Sequence, residues 1–161
     1  MAPDFNKKPF EGLNAMVVDD VGAMRELLTE LLREIGFETI INAEDGGEAL
    51  KTLEDMVLPI DVIICDLEMP LISGLEFIRM LRKNRNLDIK DLPIVVVTGH
   101  SEKKNLYTAV DLGVHGFLVK PVSLAALEKS IERALKKGPI DPEAFEKAQH
   151  RFIKPVHIIE G

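Results

Sequence analysis

The 161-residue chain has a single cysteine, Cys65, so no disulfide can form within it, and a free thiol fits a reducing cytoplasm. Basic residues are outnumbered: 20 Lys and Arg face 27 Asp and Glu, giving a formal net charge of -7 and a pI near 5.1. A face that binds nucleic acid replaces phosphate counterions with Lys and Arg, so this balance argues against a nucleic-acid partner. No run approaches the ~20 apolar residues that cross a bilayer, which argues against a membrane partner. The opening residues are polar and interrupted by Pro3 and Pro9, without the apolar centre of a secretory signal. Tandem repeats and low-complexity stretches are also missing. Gly46-Gly47 lacks the lysine of a phosphate-binding loop, and His115, His150 and His157 lack metal-ligand spacing. The expectation is a cytoplasmic protein of one ordinary domain plus something extra.

What is present is an alternation of two periodicities. Leu13 to Val18, Ile60 to Cys65, Ile94 to Val97 and Gly116 to Val119 are short, mainly apolar runs that read as strands, the second and third of the kind covered on both faces, and Glu38 to Ala43 reads as a strand too. Between them lie helical stripes. Met24, Leu27, Leu28, Leu31, Leu32 and Ile35 form the first, stopped by Gly36, and Asp45-Gly46-Gly47 leads into a second through Leu53. Ser73, with Glu76 three residues on, starts a third. A fourth runs from about Ser101 to Asp111, and Leu124, Leu127, Ile131, Ala134 and Leu135 make the fifth. Five strand-helix units predict an α/β fold with a doubly wound parallel sheet. Three segments follow: a lead of 1–12, a domain of 13–138 and an extension of 139–161.

Asp19-Asp20, Asp66, Thr98 and Lys120 each sit at or just past the downstream end of a predicted strand. In open α/β sheets the carboxyl ends of the strands share the edge where ligands bind, so these groups are expected to form one pocket. Three carboxylates there repel; two charges ~4 Å apart at an effective dielectric near 20 cost on the order of 4 kcal/mol. A hard divalent cation relieves that repulsion, and oxygen ligands with retained waters suit Mg²⁺, with Mn²⁺ as the alternative. Phosphoryl transfer needs an in-line nucleophile, a metal and cations on the phosphoryl oxygens. Asp66 is the candidate nucleophile. Asp19 and Asp20 are candidate metal holders, and Lys120 and Thr98 candidate binders of phosphoryl oxygens.

Those residues, with Val17-Val18 before the acidic pair, Asp66-Leu67-Glu68-Met69-Pro70, Gly74, and Phe117 before Lys120-Pro121, resemble the receiver domain of two-component response regulators over roughly residues 14–137. The resemblance implies a flavodoxin-like (βα)5 sheet of strand order 2-1-3-4-5. It implies that Asp66 accepts phosphate from a histidine kinase or a histidine phosphotransfer protein. Asp20, Asp66 and the Glu68 backbone carbonyl would ligate the metal, with Asp19 acting mainly through water. Thr98 would swing to the phosphoryl group and Phe117 turn inward, changing the surface of the fourth helix, fifth strand and fifth helix, where a downstream protein would dock. Glu68, Gly99 and His100 would modulate dephosphorylation, and a cis bond is implied between Lys120 and Pro121. Phe117 lacks the hydroxyl of the tyrosine often found at that place.

Taken together, the expectation is a single-domain signalling regulator without a DNA-binding output, catalysing only its own phosphorylation and dephosphorylation. Two rivals are a small phosphohydrolase with an aspartyl nucleophile and a receiver-like scaffold that works without phosphate. The hydrolase usually places a second Asp two residues after the first, where this chain has Glu68. In the extension, Asp141-Pro142 resembles a helix start and Phe145, Ala148 and Phe152 share a face. With Ile158-Ile159 this segment is expected to bury against the domain's own switching surface or a second copy, which would make a homodimer.

Overall fold

Alternating burial along the central strands organises the molecule. In the computed structural model, which describes residues 8–99 and 102–149, β1 (Asn14–Val18) sends Met16 and Val18 to one face of the sheet and Ala15 and Val17 to the other. The third strand, β3 (Val62–Asp66), divides Ile63 and Cys65 from Val62 and Ile64 in the same way. So does β4 (Ile94–Thr98), with Ile94 and Val96 opposed to Val95 and Val97. Period-two side chains covered on both sides explain why these strands read as unbroken apolar runs.

Helices α1 (Gly22–Glu34) and α6 (Leu124–Lys137) close one face through Leu28, Leu32, Leu127 and Ile131. The other face is closed by α2 (Gly46–Asp55), α3 (Gly74–Arg82), the single turn α4 (Leu87–Lys90) and α5 (Lys103–Asp111), through Leu53, Phe77, Ile78, Leu81, Ile89 and Ala109. With β2 (Thr39–Ala43) and β5 (Gly116–Val119), the five strands are all parallel in the order β2-β1-β3-β4-β5. The expected flavodoxin-like sheet is therefore the observed one. Asp45 and Ser73 cap α2 and α3, accepting from the Glu48 and Glu76 amides at 2.8 and 3.2 Å. A further helix, α7, occupies 142–149 of the described residues. No helix among the described residues is long and apolar enough to cross a membrane.

Three features were absent from the sequence reading. Phe10, in the lead segment, is buried and stacks on Phe37 at 5.3 Å between ring centroids. The turn α4 shifts the numbering, so the expected fourth and fifth helices are α5 and α6. Arg82, at the end of α3, donates to four backbone carbonyls: Leu112 (2.9 Å), Gly113 (2.9 Å), Lys90 (2.8 Å) and Leu92 (2.9 Å). It ties together the chain segments entering β4 and β5. Charge-assisted bonds of this kind are worth more than neutral ones, and their loss leaves several carbonyls without a donor. Arg82→Met should therefore lower the unfolding free energy by roughly 2–3 kcal/mol in denaturant titration. A change below about 0.5 kcal/mol would show that water replaces the guanidinium at no cost.

Candidate functional site

The ends of β1, β3, β4 and β5 bring the predicted residues to one rim. Asp19 leaves β1 with its backbone amide bonded to the Ala43 carbonyl at 3.2 Å, and is 1% exposed. Its Oδ1 accepts from the Val21 amide at 2.8 Å, which turns the chain into α1, and its Oδ2 lies 3.5 Å from Lys120 Nζ. Asp20, the next residue, is exposed. Asp66 ends β3 and is 5% exposed; its Oδ1 accepts from the Glu68 amide at 3.0 Å and its Oδ2 lies 3.2 Å from Lys120 Nζ. Oxygens of Asp19, Asp20 and Asp66 all lie within 4.8 Å of one another. An all-oxygen set with one solvent-facing member fits a hard divalent cation that keeps part of its water shell.

Local sequence explains these positions. Gly74 opens α3 directly against the end of β3: a Cβ there would overlap the Asp66 carbonyl oxygen and come within 2.6 Å of Leu67 Cα, while its amide bonds the Leu67 carbonyl at 2.9 Å. Only glycine lets the helix begin so close to the aspartate. Lys120 lies beyond β5 at the far edge of the sheet, its amide bonded to the Thr98 carbonyl at 2.9 Å. Its stem reaches inward past Gly99, where a Cβ would meet Lys120 Cδ at an ordinary 3.9 Å. The Lys120-Pro121 bond is cis, as the resemblance implied.

Thr98 is 4% exposed and donates its hydroxyl to Glu68 Oε1 at 3.2 Å. Phe117 is half-buried on β5. Glu68 and Gly99 are exposed at the rim, whereas His100 lies outside the described residues, as do Ser101, His150, Phe152, His157, Ile158 and Ile159. Cys65 is fully buried with its Sγ 3.2 Å from the Asp66 carbonyl; burial, then Asp66 and Asp19, push the thiol well up, which leaves it a packing group. His115 is a packing residue too: its Nδ1 accepts from the Ile94 amide at 3.2 Å, and burial beside Arg82 lowers its pKa to about 4.

Sequence reasoning missed Arg25. Its Nη1 donates to the Asp19 carbonyl at 2.7 Å and its Nη2 lies 3.6 Å from Glu44 Oε1, fixing the acidic turn from the side of α1. A basic residue in the first turn of a helix that directly follows an acidic pair was the available signal.

The ion pair is unequal. Burial pulls the Lys120 ammonium down, but its hydrogen bond and charge interaction with Asp66, then Asp19, outweigh that, and its pKa is raised. Asp66 is raised as well: burial exceeds the help from the Glu68 amide and Lys120, and Asp19 adds repulsion. Both groups shift upward, Lys120 because the pair outweighs its burial and Asp66 because its burial outweighs the pair. A carboxyl raised above its ordinary 3.8 holds its proton better folded than unfolded. Stability from this group is therefore highest below that value and falls as pH rises through the raised one. At pH 7 without divalent cations, Asp66→Asn should raise the melting temperature by about 2–4 °C, on the order of 1 kcal/mol, and the gain should shrink as pH falls toward 4. An equal or lower melting temperature at pH 7 would mean that Lys120 fully offsets the buried charge.

Comparison with known proteins gives a consistent result. The sequence pattern of the response regulator receiver domain matches residues 15–132. The chain is 31% identical over 125 residues to the chemotaxis protein CheY of Pseudomonas aeruginosa, covering 78% of this chain and 98% of that protein. Over 127 residues it is 28% identical to CheY-3 of Vibrio cholerae, covering 79% of this chain and 95% of that protein. Among solved structures, Vibrio cholerae CheY4 superposes with a TM-score of 0.68 at 31% identity, over 76% of this chain and 98% of that one. A response regulator receiver domain protein from Clostridium thermocellum gives 0.69 at 27% identity, over 78% and 95%. A parallel sheet of order 2-1-3-4-5, an acidic rim on β1 and β3 and a match over most of the chain agree: this protein belongs to the response regulator receiver family and is CheY-like.

Proposed function

We propose that this chain receives a phosphoryl group on the Asp66 carboxylate from a phosphohistidine of a kinase or phosphotransfer protein, in a Mg²⁺-dependent reaction for which Mn²⁺ can substitute. The signal then passes by protein-protein contact. The observation that carries this reading is the setting of Asp66: a nearly buried carboxylate held between an amide and an ammonium, with two further carboxylates within 4.8 Å.

In the transfer, an Asp66 oxygen bonds phosphorus as the phosphorus-nitrogen bond breaks, and the electron pair of that bond returns to the departing imidazole. The Glu68 amide and Lys120 hold the carboxylate in place before attack. As Asp66 loses its negative charge to the acyl phosphate, Lys120 turns to a phosphoryl oxygen, keeping its charge paired. Asp20, Asp66 and the Glu68 carbonyl would hold the cation, with Asp19 acting mainly through water, as the family resemblance implies. The cation supplies positive charge to the phosphoryl oxygens.

Thr98 is the moving part on this reading. Its hydroxyl leaves Glu68, to which it now donates, and donates to a phosphoryl oxygen, while Phe117 turns into the space vacated. The surface of α5, β5 and α6 changes as a result. Glu68 and Gly99 at the rim, together with His100 as the family resemblance implies, modulate dephosphorylation, Gly99 by leaving the phosphoryl group accessible. The hydrolase rival is disfavoured because that chemistry usually places an Asp where this chain has Glu68.

Acetyl phosphate or phosphoramidate with Mg²⁺ should add one phosphoryl group to the wild type and none to Asp66→Asn, read by intact-protein mass. Lys120→Met should label at least about tenfold more slowly. Equal labelling of the Asp66→Asn variant would remove that residue from the mechanism. Steady turnover of phosphate esters would favour the hydrolase.

A further inference from the structure

The α5-β5-α6 face already has an occupant within this chain. After α6 the backbone turns at Gly138, with φ of 73°, and the Ile140 amide bonds the Val114 carbonyl at 2.9 Å, which anchors the segment beside β5. Asp141 starts α7, its Oδ1 accepting from the Glu143 amide at 3.1 Å. One large side chain of the helix then enters the face. The Phe145 ring meets Tyr107 of α5 edge-on at 5.1 Å between centroids and lies 5.8 Å from Phe117 of β5.

The seat is small. Between α7 and the domain a cleft of about 370 Å³ remains, lined among others by Phe117, Ser130, Arg133 and Ala144. Phe145 is half-buried while residues 141–144, 146 and 147 are exposed. Among the described residues the seat is made by the aromatic cluster, Ile140 against the core, half-buried Ala148 and one backbone bond, and elements with few buried contacts open most readily. The cluster includes the ring that the functional reading assigns to switching.

We propose that α7 is a tethered occupant of the α5-β5-α6 face, held through Phe145 against Phe117 and Tyr107, so that its docking opposes phosphorylation of Asp66 and phosphorylation releases it. This rests on the receiver reading above. When Phe117 turns inward it withdraws from Phe145, so the acyl phosphate weakens the seat; by linkage, a seated helix weakens the phosphorylated state to the same degree. A downstream partner of this face must displace α7, and the cluster fits one that presents an aromatic side chain of its own.

The test uses the full chain with beryllofluoride and Mg²⁺, a mimic of the acyl phosphate, and reads amide hydrogen exchange. Residues 142–149 should exchange about fivefold faster or more once the mimic is bound. Phe145→Ala should already exchange fast there without it, and should bind beryllofluoride about fivefold or more tightly than wild type. If amides near Asp66 and Thr98 respond to the mimic while 142–149 do not, or become slower, the coupling is overturned and the receiver reading stands. Unchanged beryllofluoride affinity in Phe145→Ala would likewise overturn it. A chain in which no segment responds refutes the receiver reading and the coupling together.

Discussion

Two buried carboxylates sharing one ammonium form the constraint on which the rest of the structure depends. Asp19 and Asp66 are brought together because β1 and β3 are neighbours in the sheet, and both end at the same edge. Lys120 comes from the far side, two strands from β3, and meets both. With Asp20 beside them the rim carries three negative charges against one positive. Proteins seldom leave such an imbalance near their interior, because an unpaired charge there costs several kcal/mol. A site that keeps it carries a surplus of negative charge that a bound divalent cation would relieve.

This imbalance gives a physical reason for a switch. On the proposed reading, Asp66, Glu68, Thr98 and Phe117 would lead from the rim to the α5-β5-α6 face, the first three already joined by the Glu68 amide to Asp66 and the Thr98 hydroxyl to Glu68. Lys120 can hold a carboxylate or a phosphoryl oxygen. Thr98 can donate to Glu68, as it does here, or toward Asp66. Phe117 can meet Phe145 or turn into the domain. A packed sheet transmits such changes because its core does not deform continuously. The central strands are packed between two separate apolar clusters, which on the proposed reading would leave the loop ends and the ring on the edge strand as the moving parts.

Much of this was legible in the sequence, for a definable reason. Strands covered on both faces leave unbroken apolar runs, and the chemistry sits at their ends, so Asp19, Asp66, Thr98 and Lys120 could be placed together before any coordinates. The cap at Ser73 was visible because it acts over three residues, whereas Asp45, which caps α2 in the same way, was read only as part of a turn. What escaped depends on distant partners or on very short elements. Helix α4 is one turn of four residues and has no periodicity to detect. The four carbonyls that Arg82 holds lie on two stretches of chain 8 to 31 residues further along. Phe145 was readable as part of an apolar helix face, but Tyr107, which meets it, lies on another helix and gives no local sign.

The central claim, that the acidic rim is built to take a cation before it takes phosphate, is tested most directly by titrating Mg²⁺ into the full chain and following backbone amide resonances. It predicts saturable one-site binding with the largest shifts at residues 19–21 and 66–68, and its loss in Asp20→Asn, whose exposed carboxylate is the member that neither Lys120 nor the Val21 amide engages. Absence of binding to the wild type, or equal binding by Asp20→Asn, would contradict it.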